Sequence, residues 1–330
     1  MVKKLCTFMI IFIVLLAGCK ADDNPESVNE KGNTVYPLTG LEADKEADHR
    51  AIAVMVNNHP AARPQSGLSK ADIVYEILAE SNITRFLAVY QSEFPDTFGP
   101  VRSARDYYIR LAKGYDSLFV FHGWSPEAKK LIESDYIDNL NGLKYDGTLF
   151  ERASFREAPH NSYITYDHVM EGAKEKGYDM DIGAPAYTFM TEDEENEVEG
   201  DSYSKAFISY SSESFDVTYE YDEGSETYAR YTAGVRTEDY GTNDPVEIDN
   251  ILIIEAEHEV IDKKGRRDID LESGGDAYLL QKGKLLKIQW ESNDNRIVPV
   301  LDGKEVKLVP GKTWINVIPT SGLTQSVTLE

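Results

Sequence analysis

Both cysteines of the chain, Cys6 and Cys19, fall within its first 19 residues. Everything beyond them must hold its shape without a disulfide, a zinc–thiolate site or a cysteine nucleophile, so stability has to come from a packed core. The surroundings of the two thiols explain their place. Lys3 and Lys4 make a basic start, and Leu5 to Ala17 is apolar apart from Thr7. Such a run has the length of an export-signal core and falls short of the ~20 residues that span a bilayer. It ends at Leu16-Ala17-Gly18-Cys19. Small residues before a cut suit a peptidase groove, and the cysteine after it offers a thiol for lipid. This lipobox pattern predicts a signal peptide over residues 1–18. It also predicts a chain held at the extracytoplasmic face of the cell membrane by lipid on Cys19, with two acyl chains for stable attachment. The competing reading is an uncleaved anchor in which Cys19 is a chance thiol.

Loss of residues 1–18 leaves 312 and moves the formal charge from −24 to −26, because Lys3 and Lys4 are the only charges removed. That length suits two ordinary domains. Such an acidic body repels phosphate backbones and anionic headgroups, which argues against a nucleic-acid partner. The 20 tyrosines suit half-buried strands and also carbohydrate contact, the first being the commoner use.

Residues 19–36 are polar and read as a flexible stalk. A second acidic stretch, 191–202, reads as a linker between an α/β domain with a mixed sheet (37–190) and an all-β domain (203–330). In the first domain, Ala51 to Val56, Ala71 to Leu78, Ile83 to Tyr90 and Leu118 to Phe121 read as strands, the middle two as a hairpin about Ser81-Asn82. Ser103 is expected to cap a helix that stops at Gly114, Ser125-Pro126 to open a second, and Thr165 to open a third ending at Gly177. In the second domain, strands are expected over 206–210, 216–221, 227–231, 250–255, 276–281, 284–290 and 305–309.

The first domain carries many arginines for so acidic a chain: Arg63, Arg85, Arg102, Arg105, Arg152 and Arg156. With Ser103 as cap, Arg102 and Arg105 would flank a helix N-terminus, where free N–H groups, the dipole and guanidinium forks suit a phosphate or carboxylate. Asp106 would share that turn, as a cap, an arginine partner or a cation ligand. His122 follows a buried strand at its C-terminal end, where ligands of open α/β sheets commonly sit. Pro159-His160-Asn161 and Asn57-Asn58-His59 are further polar candidates, either for a ligand or as structural turns. The ordinary alternative pairs these arginines with nearby acids. No phosphate loop, His-Glu-x-x-His or Gly-x-Ser-x-Gly is present, so no cofactor or metal site is indicated.

These segments carry a family likeness. Pro37-Leu38-Thr39-Gly40, Ala62-Arg63-Pro64-Gln65-Ser66-Gly67-Leu68, Ala71-Asp72-Ile73-Val74-Tyr75-Glu76, Gly99-Pro100-Val101-Arg102-Ser103-Ala104-Arg105, Pro159-His160-Asn161 and Leu308-Val309-Pro310-Gly311-Lys312-Thr313-Trp314-Ile315 resemble the YerB family of Gram-positive lipoproteins, as do Asn57-Asn58 and Lys263-Lys264-Gly265-Arg266. The resemblance implies two domains and an extracytoplasmic address, and supplies no reaction. Two functions follow as expectations. One is a binding lipoprotein that grips an anionic wall polymer or meets an envelope protein. The other is an envelope enzyme acting on a phosphate-linked or glycan substrate, with His122 or His160 as base and Asp106 or Glu76 as partner.

Overall fold

The computed structural model describes residues 34–43, 47 and 49–330; the expected signal peptide, Cys19 and most of the expected stalk lie outside them. Strand β1 (Ile52–Asn57) is buried at every position, as its continuous apolar run requires. β2 (Ile73–Leu78) and β3 (Thr84–Tyr90) form the expected hairpin, with Tyr75 opposite Leu87, and Ser81 takes a left-handed conformation in its turn. β3 pairs antiparallel with β1, and Leu118–Phe121 lies parallel on the other side of β1.

The sheet does not stop at β2. Thr313–Pro319, from near the C-terminus, pairs parallel with β2, setting Ile315 beside Tyr75. Its far side pairs parallel with Asn250–Ala256, and Gly275–Gln281, Lys284–Asn293 and Arg296–Leu301 follow antiparallel. The result is one twelve-stranded sheet to which both halves contribute. The N-terminal half mixes strands with helices, and the C-terminal half is β-rich. The acidic stretch is itself ordered: Thr191 and Glu194 close a capping box, Lys307 pairs with Glu194 at 2.7 Å, and Asp201–Ser202 adds to the edge of Lys284–Asn293.

Each face of the sheet is covered differently. Helices α1 (Asp106–Gly114) and α2 (Pro126–Glu133) lay Tyr107, Ile109, Leu111 and Ala128 against Ala53, Met55, Tyr75 and Leu87. The opposite face meets a smaller sheet built on Thr227–Thr232, Val217–Asp222 and Lys205–Ile208. Its Val217, Tyr219 and Tyr228 pack near Val54, Phe86 and Trp314. Each aliphatic side chain shut inside contributes roughly 1.5–3 kcal/mol. Among the described residues, no helix is long and apolar enough to cross a membrane.

Two of the three expected caps are in place. Ser125 Oγ accepts from the Ala128 amide at 3.1 Å with Pro126 first in α2. Thr165 caps Tyr166–Lys176, and Gly177 ends that helix in the left-handed region. The third expectation is corrected. α1 begins at Asp106 with Arg105 as its cap residue and no side-chain capping bond, because Ser103 Oγ donates instead to the His122 carbonyl at 3.0 Å.

Candidate functional site

β1 and Leu118–Phe121 run parallel and pair from Ile52 to Val54. Beyond that they part, and the segment around Arg102 fills the split. Its amide donates to the Met55 carbonyl and its carbonyl accepts from the His122 amide, both at 2.9 Å. The segment therefore lies at the carboxyl ends of two parallel strands, the usual place for a ligand in an open α/β sheet. Asn57 ends β1 on one side of it, and His122 directly follows the neighbouring strand on the other.

A small sheet of Thr97–Phe98, Ser162–Thr165 and Phe150–Arg152 brings further groups to this segment. Arg152 donates to both oxygens of Asp146, to Asn161 Oδ1 at 3.2 Å and to His122 Nε2 at 3.0 Å. A guanidinium can only donate, so Nε2 of His122 accepts, and Nδ1 carries the proton it gives to Ser162 Oγ at 2.8 Å. The ring packs directly on Gly142, where a Cβ would stand 2.2 Å from His122 Nδ1. On the other side, Asn57 Nδ2 donates to His160 Nδ1 at 2.8 Å, and His160 stacks on His59 with centroids 4.5 Å apart.

Arg102 stands among these three rings. Its guanidinium makes one hydrogen bond, 3.3 Å to the Pro159 carbonyl, and its Nε is buried without a partner. Burial, with Arg85 behind it, lowers the guanidinium to about 10. The histidines move the same way. Burial lowers all three, and Arg102 adds to the shift of His59, His122 and His160 alike. His59 and His160 accept at Nδ1 and so carry their protons on Nε2, which adds two ring donors to the charged guanidinium, while both nitrogens of His122 are already engaged. Among the described residues, no carboxylate comes within ion-pair distance of Arg102, Arg63 or Arg156.

Arg63 and Arg156 flank this cluster. Arg63 donates to Asn58 and Ser214 and lies over the Phe215 ring, and burial lowers it to about 10. Arg156 donates to the carbonyls of Ala61, Arg63 and Pro64. Arg63, Arg102, Arg152, Arg156, His122, His160, Asn161 and Asn57 thus occupy one face. Arg85 and Arg105 do not: both are buried on the carboxylate of Glu80, which turns them inward. Glu80 has a weak sequence signal, since it lies five residues before Arg85 in the hairpin turn.

The acids considered with the histidines lie elsewhere. Glu76 is fully buried and accepts from Arg230, Asn58 and Thr84. Asp106 lines a separate hollow with Arg110, Asp268 and Asp270, and its pKa is raised by burial. Neither hydrogen-bonds a histidine. No group of three or more His, Cys, Asp or Glu among the described residues is placed to hold a metal ion.

Comparison with known proteins gives the chain relatives. Residues 38–179 match the N-terminal domain of a protein of unknown function, DUF3048, and residues 206–315 match its C-terminal domain. A Bacillus subtilis (strain 168) protein named "Putative lipoprotein YerB" is 48% identical over 317 residues, covering 95% of this chain and 94% of that one. The crystal structure of the YerB protein from Bacillus subtilis superposes with a TM-score of 0.84, covering 90% of this chain and 100% of that one. With both domains matched and close to half of all positions shared with a relative along nearly its whole length, the chain belongs to the DUF3048 family, whose function is unknown.

Proposed function

We propose that this protein is a lipid-anchored, extracytoplasmic binding protein that holds an anionic group of a cell-envelope ligand at Arg102. The anchor reading is supported by Leu16-Ala17-Gly18-Cys19 and by the name of the Bacillus subtilis relative. Mass spectrometry of the mature N-terminus is expected to find a diacylated Cys19; an intact Met1 would end it.

One observation carries the binding reading. In a chain of net charge −24, Arg102 sits at the split of two parallel strands with no acid beside it, an unpartnered buried Nε and three neutral imidazoles around it. A phosphate or carboxylate would supply an acceptor for the guanidinium's remaining Nη–H groups. Charge-assisted hydrogen bonds contribute ~1.5–3 kcal/mol each. Calorimetric titration of the full chain with inorganic phosphate should therefore show binding that Arg102→Ala weakens at least about tenfold. Equal affinity in the variant would overturn the reading. The enzyme reading has less support, since His122 and His160 hydrogen-bond to serine, arginine and asparagine and to no carboxylate.

A further inference from the structure

Phe155 and Tyr240 come from opposite halves of the chain and meet face to face. Their ring centroids are 4.5 Å apart and their planes 8° from parallel. Yet Phe155 is 52% exposed and Tyr240 is 42% exposed. Single exposed aromatics need no explanation, but a stacked pair left open at the mouth of a cavity does.

The pair is also held. The Tyr240 amide donates to the Gln65 carbonyl at 2.6 Å. Next to it, the Asp239 carboxylate takes the amides of Leu68 and Ser69 at 2.8 and 3.1 Å. The tip of the second half is therefore pinned to the first, and the Tyr240 ring is presented in a set position.

The two rings form a wall shared by two hollows. One, of 710 Å³, adds Asp96, Asp244, Lys70 and Arg152. The other, of 560 Å³, adds Arg63, Arg156 and His160. Both volumes lie within the ~300–1,000 Å³ of ordinary ligand sites. The charge balance differs: carboxylates outnumber cations in the larger hollow, whereas Arg63, Arg156 and His160 outnumber Glu157 in the smaller.

We propose that the ligand is a glycan carrying an acidic group, with its sugar rings across Phe155 and Tyr240 and its charge toward Arg156, His160 and Arg102. The proposal deepens the Arg102 reading and rests on it for the charged end alone. A sugar ring has apolar C–H faces, which want an aromatic plane, and a rim of hydroxyls, which want acceptors and donors together. Asp96, Asp244 and Lys70 supply both around the aromatic wall. An all-apolar ligand would strip water from those carboxylates without replacing it. A nucleic acid would bring its phosphates against them.

The full chain in detergent is titrated by calorimetry with three probes: a tetramer of N-acetylglucosamine, a tetrasaccharide alternating N-acetylglucosamine with glucuronate, and inorganic phosphate. Both saccharides are expected to bind, the acidic one more tightly. Phe155→Ala and Tyr240→Ala should each weaken both saccharides by about tenfold, the scale of one aromatic contact, and weaken phosphate by clearly less, since each ring also supports Arg156. Arg102→Ala should weaken phosphate and the acidic saccharide and spare the neutral one. Tyr240→Phe keeps the ring and should keep saccharide binding. The proposal is overturned if neither saccharide binds at millimolar concentration, if the two alanine variants bind like the parent, or if Tyr240→Phe loses binding. Saccharide binding that fails while phosphate binding persists sinks the glycan alone; loss of phosphate binding alone sinks the Arg102 reading.

Discussion

Arg230 donates from Nη2 to Glu76 Oε2 at 2.6 Å, with both side chains closed off from water. Glu76 belongs to β2 of the main sheet and Arg230 to the sheet packed on it, so this ion pair ties the two layers at their centre. The guanidinium also lies over Trp314 at 4.5 Å and donates to Thr237 at 2.8 Å. Breaking one side leaves a buried charge uncompensated. Glu76→Gln or Arg230→Met should each lower unfolding stability by ~3–5 kcal/mol, and the double variant by clearly less than their sum. Chemical denaturation checks this; additive losses would count against a direct coupling.

Gly142 leaves the seat for the His122 ring. Gly142→Ala should push the imidazole off Ser162 and Arg152 and cost ~1–3 kcal/mol of stability. It should also lower phosphate affinity although residue 142 touches no ligand. Ring chemical shifts of His122 report the displacement, and unchanged shifts would contradict the packing.

Arg102 depresses three imidazoles together. Removing it by Arg102→Ala should move the NMR titrations of His59, His122 and His160 upward, with Arg102→Lys holding them down. Burial, the larger cause, remains in both variants. A bound anion acts in the same direction as removal of the cation: it favours the protonated rings. Binding therefore takes up protons, and affinity should rise as pH falls through the imidazole range. An affinity that falls with acidification would refute the placement of the anion.

His258 gives a pH signal away from the site. Its Nδ1 donates to the Ala256 carbonyl at 2.9 Å, and burial lowers its pKa from 6.5 to about 4. The folded state then holds fewer protons than the unfolded state between these values. The stability it contributes is complete above pH 6.5 and is lost as pH falls toward 4, by about 3 kcal/mol. Asp72 and Asp249, raised by burial to about 6, act oppositely in the same window. Comparing the parent with His258→Gln cancels them: the variant should lose less stability between pH 7 and 4.5.

Residues 34–190 expressed alone should not fold. β2 would lose Thr313–Pro319 on one side, and the sheet face under the smaller sheet would be bare. Circular dichroism and proteolysis of that fragment check this; a cooperative, protected fragment would show an independent first half.

Local chemistry was readable where it was self-contained. Leu118–Phe121, the Ser125-Pro126 opening and the Thr165 to Gly177 helix follow from burial runs and caps within a few residues. Thr313–Pro319 does not stand out as a strand in the sequence, although it is the joint of the sheet. Asn316 interrupts its apolar run, and only the fold shows that Asn316 is buried against Tyr219 and Tyr210. Arg296–Leu301 was hidden by Pro299, which a strand near a sheet edge tolerates. The arginines were visible as a set, but their division was not. Only the hairpin turn that carries Glu80 shows which two face inward. Tyr240 had no signal beyond a turn-rich loop, because its partner Phe155 lies in the other half.

The parallel pairing of β2 with Thr313–Pro319 joins residues about 240 positions apart. A ribosome makes β2 early and its neighbour almost last, and contacts of such separation form slowly. A message cut short near its end would therefore leave a gap down the middle of the sheet instead of a trimmed border. Completion of synthesis becomes the condition for closure, and truncated products should reach proteases open.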